Sequence, residues 1–291
     1  MNATAVTLVL LSAFLHALTS LLTKRSREKQ VFLWCYQCLG LIIFAPLFIW
    51  FLWKDCPELG ATIKWGLITG AIHFFYVFFA AKSYHHADLS LVYPIMRSSP
   101  ALVLVCAVIF LNEAISLQGA TGIIFVAFGV YIINMDSLSV ANLIKPFSTL
   151  FTQPGSRFAL LTMLAVTGYT LADKIAVREI NAIVYSYLVP ASTMLLFTPY
   201  ILWTGRGKLI AGEWMHHRRS IFVNAITSQG GYLLILVAFT VEEVSYVAGF
   251  RQLSIVFAVL MGGHFLKEGN FRARLTAATV ICAGAFLIAT A

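Results

Sequence analysis

The chain has 291 residues, 60% of them hydrophobic and 11% charged, with a mean hydropathy of +0.86. Charged groups this scarce cannot coat a water-soluble globule of that length, so the composition excludes a soluble domain and predicts an integral membrane protein. A net charge of +8 would suggest nucleic acid in a soluble chain. In a membrane protein Lys and Arg gather in cytoplasmic loops instead, and no nucleic-acid partner is expected.

A spanning helix needs about 20 mostly apolar residues. Ten such segments follow one another: Ala5–Leu22, Val31–Trp53, Trp65–Ala81, Leu89–Leu111, Leu117–Asn134, Phe158–Ala172, Ile183–Trp203, Ile221–Phe239, Val244–Leu266 and Leu275–Ala291. They predict an all-α fold and nearly exhaust the chain. The first lacks a basic leader and a small-residue cleavage site, so it is expected to remain as a helix. The longest connection, 135–157, reads as a linker with an interfacial amphipathic stretch, which divides the chain into five-span units over 1–134 and 158–291. The five cysteines are an odd number, and Cys35, Cys38, Cys106 and Cys282 lie inside spans. No disulfide framework is expected, and the Cys35–Cys38 pair reads as small packing groups rather than a redox or metal site.

The connections divide sharply by charge. Fourteen of the twenty basic residues fall in connections 1–2, 3–4, 5–6, 7–8 and 9–10, against Lys54, Lys64, Lys174 and Arg178 on the opposite side; Arg97 and Arg251 lie within spans. This bias predicts that both termini are extracytoplasmic. Trp50, Trp53, Trp65 and Trp203 sit near span ends as interface anchors.

The halves repeat. FAPLFIW (Phe44 to Trp50) recurs as FTPYILW (Phe197 to Trp203), and SLLTK (Ser20 to Lys24) resembles TLADK (Thr170 to Lys174). Arg97 matches Arg251, Glu113 matches Glu268, Tyr76 matches Tyr232, and GVYII from Gly129 matches GAFLI from Gly284, all at shifts between 150 and 156. Five spans per half is odd, so the second copy is inverted in the membrane. Pro46 and Pro199 read as paired kinks.

The stretch LNEAISLQGATGIIFVAFGVYII (Leu111 to Ile133), and its weaker copy FLKEGNFRARLTAATVICAGAFLI (Phe265 to Ile288), resemble the repeat of EamA-type transporters of the drug/metabolite transporter superfamily. The resemblance implies a basket of ten helices around a cavity lined mainly by helices 1, 3, 4, 6, 8 and 9, working by alternating access. It also implies cytoplasmic termini, against the charge count. Plastid sugar-phosphate translocators, relatives in that superfamily, use basic residues in these helices for phosphate; the likeness there is one of position.

Arg at the centre of a spanning helix costs about 2.5–3.5 kcal/mol on insertion scales, so two need compensation. Arg97 lies eight residues into the fourth span and Arg251 seven into the ninth. At about 1.5 Å per residue each is roughly 10–12 Å below its own face, and inversion puts the two on either side of the midplane. Each could pair with a kinked-helix carbonyl, with Glu113 or Glu268, snorkel to the interface, or serve gating. The alternative is an anion site, since the planar guanidinium binds carboxylate or phosphate bidentately. It is favoured because no acid stands in a span core: Asp173 is placed at a helix end beside Lys174. Pro94 and Pro100 predict a broken fourth helix with free carbonyls beside the cavity. Near Arg251, Gly249 and Ser254 would bend the ninth without proline.

Tyr93, one turn before Arg97, joins His16, His73, Tyr76, Tyr169, Gln229 and Tyr232 as candidate solute contacts, with Ser20 beside them. His73 reads first as a packed, hydrogen-bonded histidine and second as a group that handles substrate or a proton. Pro94, Pro100, Glu113, Glu268, Lys24 and Lys174 are candidate structural or gating groups. Gln37 is expected to face helix neighbours, and His85, His86, His216 and His217 to sit in loops. The predicted activity is secondary active transport of a small organic anion (a phosphonate, sugar phosphate or carboxylate-bearing metabolite), with export of amino acids or cationic drugs as the alternative. Partners are the solute, the lipid bilayer, and a coupled proton or counter-substrate, in a monomer or homodimer of the plasma or inner membrane. No HExxH, GxSxG or Walker motif is present, so no enzymatic activity, metal, cofactor or ATP use is expected.

Overall fold

The structure is a computed structural model that describes residues 1–55, 58–87, 89–133, 144, 148, 152–265 and 271–291. Most of the 135–157 linker and Glu268 lie outside the described residues. The first half comprises α1 (Ala3–Arg25), α2 (Lys29–Asp55), α3 (Leu59–His86), α4 (Leu89–Arg97), α5 (Ser99–Leu111) and α6 (Leu117–Ile132). The second comprises α7 (Pro154–Glu179), α8 (Ala182–Trp203), α9 (Ile210–Val241), α10 (Val244–Phe250), α11 (Leu253–Phe265) and α12 (Phe271–Ala289). Hydrocarbon offers no hydrogen bonds, so a segment crossing it must satisfy its own backbone, which these helices do. Among the described residues eight spans are long and apolar enough to cross, and two shorter apolar helices, Leu117–Ile132 and Leu275–Ala289, complete the ten expected. The α4–α5 and α10–α11 pairs make up the fourth and ninth. Large apolar groups such as Ile42, Trp53, Ile109 and Phe110 point outward, as a lipid-facing surface requires.

The inverted repeat is visible in the packing. A shift of 155 carries Gly122 to Ala277 and Gly129 to Gly284. In the crossing of α6 with α12, a Cβ on Gly122 would lie 2.7 Å from the Gly284 carbonyl oxygen, and one on Gly129 would lie 3.1 Å from that of Ala277. The two contacts exchange under the repeat, so this crossing sits on the pseudo-two-fold axis. Small residues let the backbones touch, which is how membrane helices associate without a hydrophobic drive. Around the axis, α3 packs on α7 as α1 packs on α9, and α2 packs on α9 as α8 packs on α3.

Several helices run past their expected ends. α3 begins at Leu59 and reaches His86, and α9 continues back to Ile210 through a kink at His217, so His85, His86, His216 and His217 lie on helices rather than in loops. These extensions are polar turns at helix ends, where an apolar window stops but hydrogen bonding does not. α7 extends to Glu179, seven residues past the expected end, and this carries Asp173 and Lys174 inside the helix.

Candidate functional site

Both arginines stand where a helix breaks. α4 ends at Arg97, and α5 starts at Ser99 with Pro100 in its first turn. Between them Ser98 N–H donates to Ile95 O at 3.2 Å and Ala101 N–H to Ser98 O at 3.1 Å, tightening the chain to an i→i−3 pattern. Pro100 has no N–H to continue the ladder. The Ser98 hydroxyl donates to Pro94 O at 2.7 Å and so satisfies a carbonyl the break would free. In the second half Arg251 caps α10, and Gln252, Ser254 and Ile255 N–H donate to the carbonyls of Gly249, Arg251 and Gln252 in the same i→i−3 pattern. The bend forms there without proline. Each guanidinium therefore sits at the inner end of a half-helix of seven to nine residues that starts from its own side of the protein.

The two breaks face one cavity with two chambers. The first, of about 90 Å³, is bordered by both Arg97 and Arg251 together with Pro100, Gln252, Tyr84 and Asp173. The second, of about 230 Å³, is bordered by Tyr36, Gln37, His73, Ser228, Gln229 and Tyr232. His16, Tyr76, Tyr169 and Arg251 border both, so they form the waist between the chambers. Rings crowd together there at an angle to one another: His73 lies 4.1 Å from Tyr169 and 5.8 Å from Tyr232 between centroids, both tilted, and Tyr76 meets Tyr169 edge-on at 5.8 Å.

Of the candidate solute contacts, His16, His73, Tyr76, Tyr169, Gln229, Tyr232 and both arginines border this cavity. Tyr93 does not; its ring lies against Arg97, 5.2 Å from the guanidinium carbon, as a cation–π support. Gln229 is partly committed to structure, its amide donating to Ser186 O at 2.7 Å. Gln37, expected to face helix neighbours, borders the second chamber instead, and its Oε1 is buried with no hydrogen-bond partner among the described residues. Among the described residues neither guanidinium has a carboxylate within the 4.0 Å of an ion pair.

The expectation that no acid stands in a span core is overturned by Asp173. It is 1% exposed and borders the arginine chamber. Tyr185 and Tyr232 hydroxyls donate to the same oxygen, Oδ1, at 2.9 and 3.0 Å, and Thr69 Oγ1 lies 2.7 Å from the Tyr185 oxygen. A buried carboxylate needs such donors in place of water. The repeat equivalent of Asp173 is Thr23, which receives the Asn224 amide at 3.1 Å, so the acid belongs to one half only.

Glu113 serves α10 and not an arginine. Val244 N–H and Ser245 N–H donate to it at 2.6 and 3.2 Å and Ser245 Oγ at 2.7 Å, which satisfies buried donors that the start of that helix leaves without an intrahelical partner and sets the carboxyl group at its positive end. Lys174 and Lys24, matched in sequence, part company. Lys174 is buried and donates to Phe239 O at 2.7 Å and Glu242 O at 2.6 Å, tying the end of α9 to α7, whereas Lys24 is exposed at the end of α1.

Ten apolar helical spans in two inverted halves, enclosing a polar cavity between two broken helices, define a multi-pass membrane protein of transporter architecture. The EamA-like transporter family matches residues 3–135 and 153–290, one stretch for each half. The chain belongs to that family, and with it to the drug/metabolite transporter superfamily. A solved structure described only as a crystal structure of a protein shares the fold, with a TM-score of 0.73 over 100% of this chain and 99% of the other at 13% identity. No curated protein matches the chain.

Proposed function

We propose that the protein is a secondary active transporter that moves a small organic anion by alternating access, driven by a coupled proton or by exchange. The observation that carries this is the pair of arginines at repeat-related breaks, bordering one chamber with no ion-pair partner among the described residues. Arg does not lose its proton, so the chamber holds two fixed cations that a carboxylate, phosphonate or phosphate would neutralise. The cavity lies between the inverted halves, where such carriers bind solute and rock around it. The basic-residue bias supports extracytoplasmic termini, in a plasma or inner membrane as proposed from the sequence.

Asp173 favours a second reading, export of an amino acid whose ammonium meets the carboxylate while its own carboxylate meets an arginine. A thermal-shift screen of purified protein against phosphonates, sugar phosphates, amino acids and cationic drugs separates the two. The anion carrier is stabilised by phosphonates or phosphates, and the effect disappears in Arg97→Ala. Stabilisation confined to amino acids or cations, and lost in Asp173→Asn, overturns it in favour of the second.

A further inference from the structure

We infer that Asp173 carries the coupled proton: it takes up one proton with each doubly charged anion that the arginines bind, so proton and anion cross together. The inference rests on the anion reading above and chooses proton coupling over exchange. Both hydroxyls that hold the carboxyl group, from Tyr185 on α8 and Tyr232 on α9, donate to Oδ1. Oδ2 takes no hydrogen bond among the described residues, yet it is not one of the buried polar atoms sealed off without a partner. Its open side is therefore the arginine chamber that Asp173 borders. A proton on Oδ2 leaves both tyrosine bonds in place and gives the chamber a donor to an anion oxygen.

The charges on the wall call for that proton. Arg97 and Arg251 keep theirs, and an ionised Asp173 cancels one of the two. A phosphonate or phosphate group brings close to two negative charges at neutral pH. With Asp173 ionised, the loaded chamber would hold an unbalanced negative charge away from water, which is costly; with Asp173 protonated the charges cancel. Binding the dianion thus draws one proton from water onto Oδ2, and by linkage the proton tightens the anion. The other titratable groups around Asp173 serve this less well. Tyr169, Tyr185 and Tyr232 already hold their protons as phenols. Lys174 is turned away, to the carbonyls of Phe239 and Glu242. A proton on His16, from α1, or on His73, from α3, would add a cation to a wall that Arg251 already shares. The anion is met from both halves, so its arginines are duplicated, whereas the acid faces Thr23 in the repeat and supplies one proton site per cavity.

The test is binding of methylphosphonate to the purified full chain. Calorimetry in buffers of different ionisation heat counts the protons taken up, and infrared difference spectra show whether a carboxylate becomes a carboxyl group. Wild type is expected to take up about one proton per anion and to gain a protonated-carboxyl band that moves when aspartate carries a heavy carboxyl carbon. Asp173→Asn keeps an oxygen for the tyrosines and sets an amide N–H where the protonated Oδ2 would stand. It should bind the anion at least as tightly, with no proton uptake and no band; in proteoliposomes it should still exchange labelled methylphosphonate but lose accumulation driven by a pH gradient. Binding in wild type without proton uptake, or with uptake that shows no aspartate band, overturns this inference and leaves the anion reading standing. If neither methylphosphonate nor inorganic phosphate binds, the anion reading itself fails, and this inference with it. The wild-type measurements decide the matter even where the variant does not fold.

Discussion

Replacing Glu113 by Ala removes the acceptor of three hydrogen bonds at the start of α10, from Val244 N–H, Ser245 N–H and Ser245 Oγ at 2.6, 3.2 and 2.7 Å. Glu113 is only 6% exposed, so water does not readily replace it. Two backbone donors are then left without partners at about 1–3 kcal/mol each, giving a loss of roughly 2–6 kcal/mol. Glu113→Gln keeps a carbonyl for Val244 but turns an amine toward the Ser245 donors, so it should fall between wild type and Ala. α10 has seven residues, too few to hold its conformation alone, and it ends on Arg251. Loosening its start should therefore also weaken anion binding. The assay is thermal unfolding of the purified variants in detergent, paired with anion titration. A Glu113→Ala stability within about 0.5 kcal/mol of wild type, the range of an innocuous surface change, would refute the reasoning.

Gly284→Val should lower stability further than a typical substitution, because even a Cβ there would lie 2.6 Å from the Gly122 carbonyl oxygen and 2.7 Å from Val126 N. Overpacking of this kind costs about 1–3 kcal/mol, and a wild-type melting profile would contradict the crossing described here. Glu243, between α9 and α10, is pushed above its ordinary value of 4.5 by burial, reinforced by hydrogen bonding and charge from Glu113. The folded protein then holds this proton more tightly than the unfolded chain. Its contribution is fully present below pH 4.5 and is lost as pH rises through the interval up to the raised value. Glu243→Gln cannot ionise, so its melting temperature should rise relative to wild type as pH increases across that interval; parallel profiles would refute this. A reporter fused after Ala291 should behave as extracytoplasmic, and cytoplasmic activity would reverse the proposed orientation.

The spans were legible because hydrocarbon imposes a length and an apolar composition that few other structures satisfy. The inverted repeat and the break after Arg97 were legible for similar reasons, from matched residues and from the two prolines whose missing N–H interrupts a helix. Asp173 was hidden because an acid followed by Lys174 ends an apolar window. The helix continues there because the acid is satisfied by Tyr185 and Tyr232, which lie 12 and 59 residues away, and the lysine by carbonyls 65 and 68 residues away. Local sequence carries no trace of those partners. The same holds for Glu113, whose partners are 131 and 132 residues distant, and for Gln37, whose direction depends on how α2 is turned against its neighbours. Lys174 is buried in α7 while its sequence match Lys24 stands exposed in the last turn of α1, so a duplicated residue need not keep its surroundings.

The central claim is that Arg97 and Arg251 jointly hold the transported anion. Its most direct test is uptake of a labelled organic phosphate or phosphonate into proteoliposomes by wild type, Arg97→Ala, Arg251→Ala and Arg97→Lys, at matched protein incorporation. Both alanine variants should abolish uptake, and Lys, which keeps the charge but loses the planar fork, should retain a small fraction. Unaltered transport in both alanine variants would contradict it.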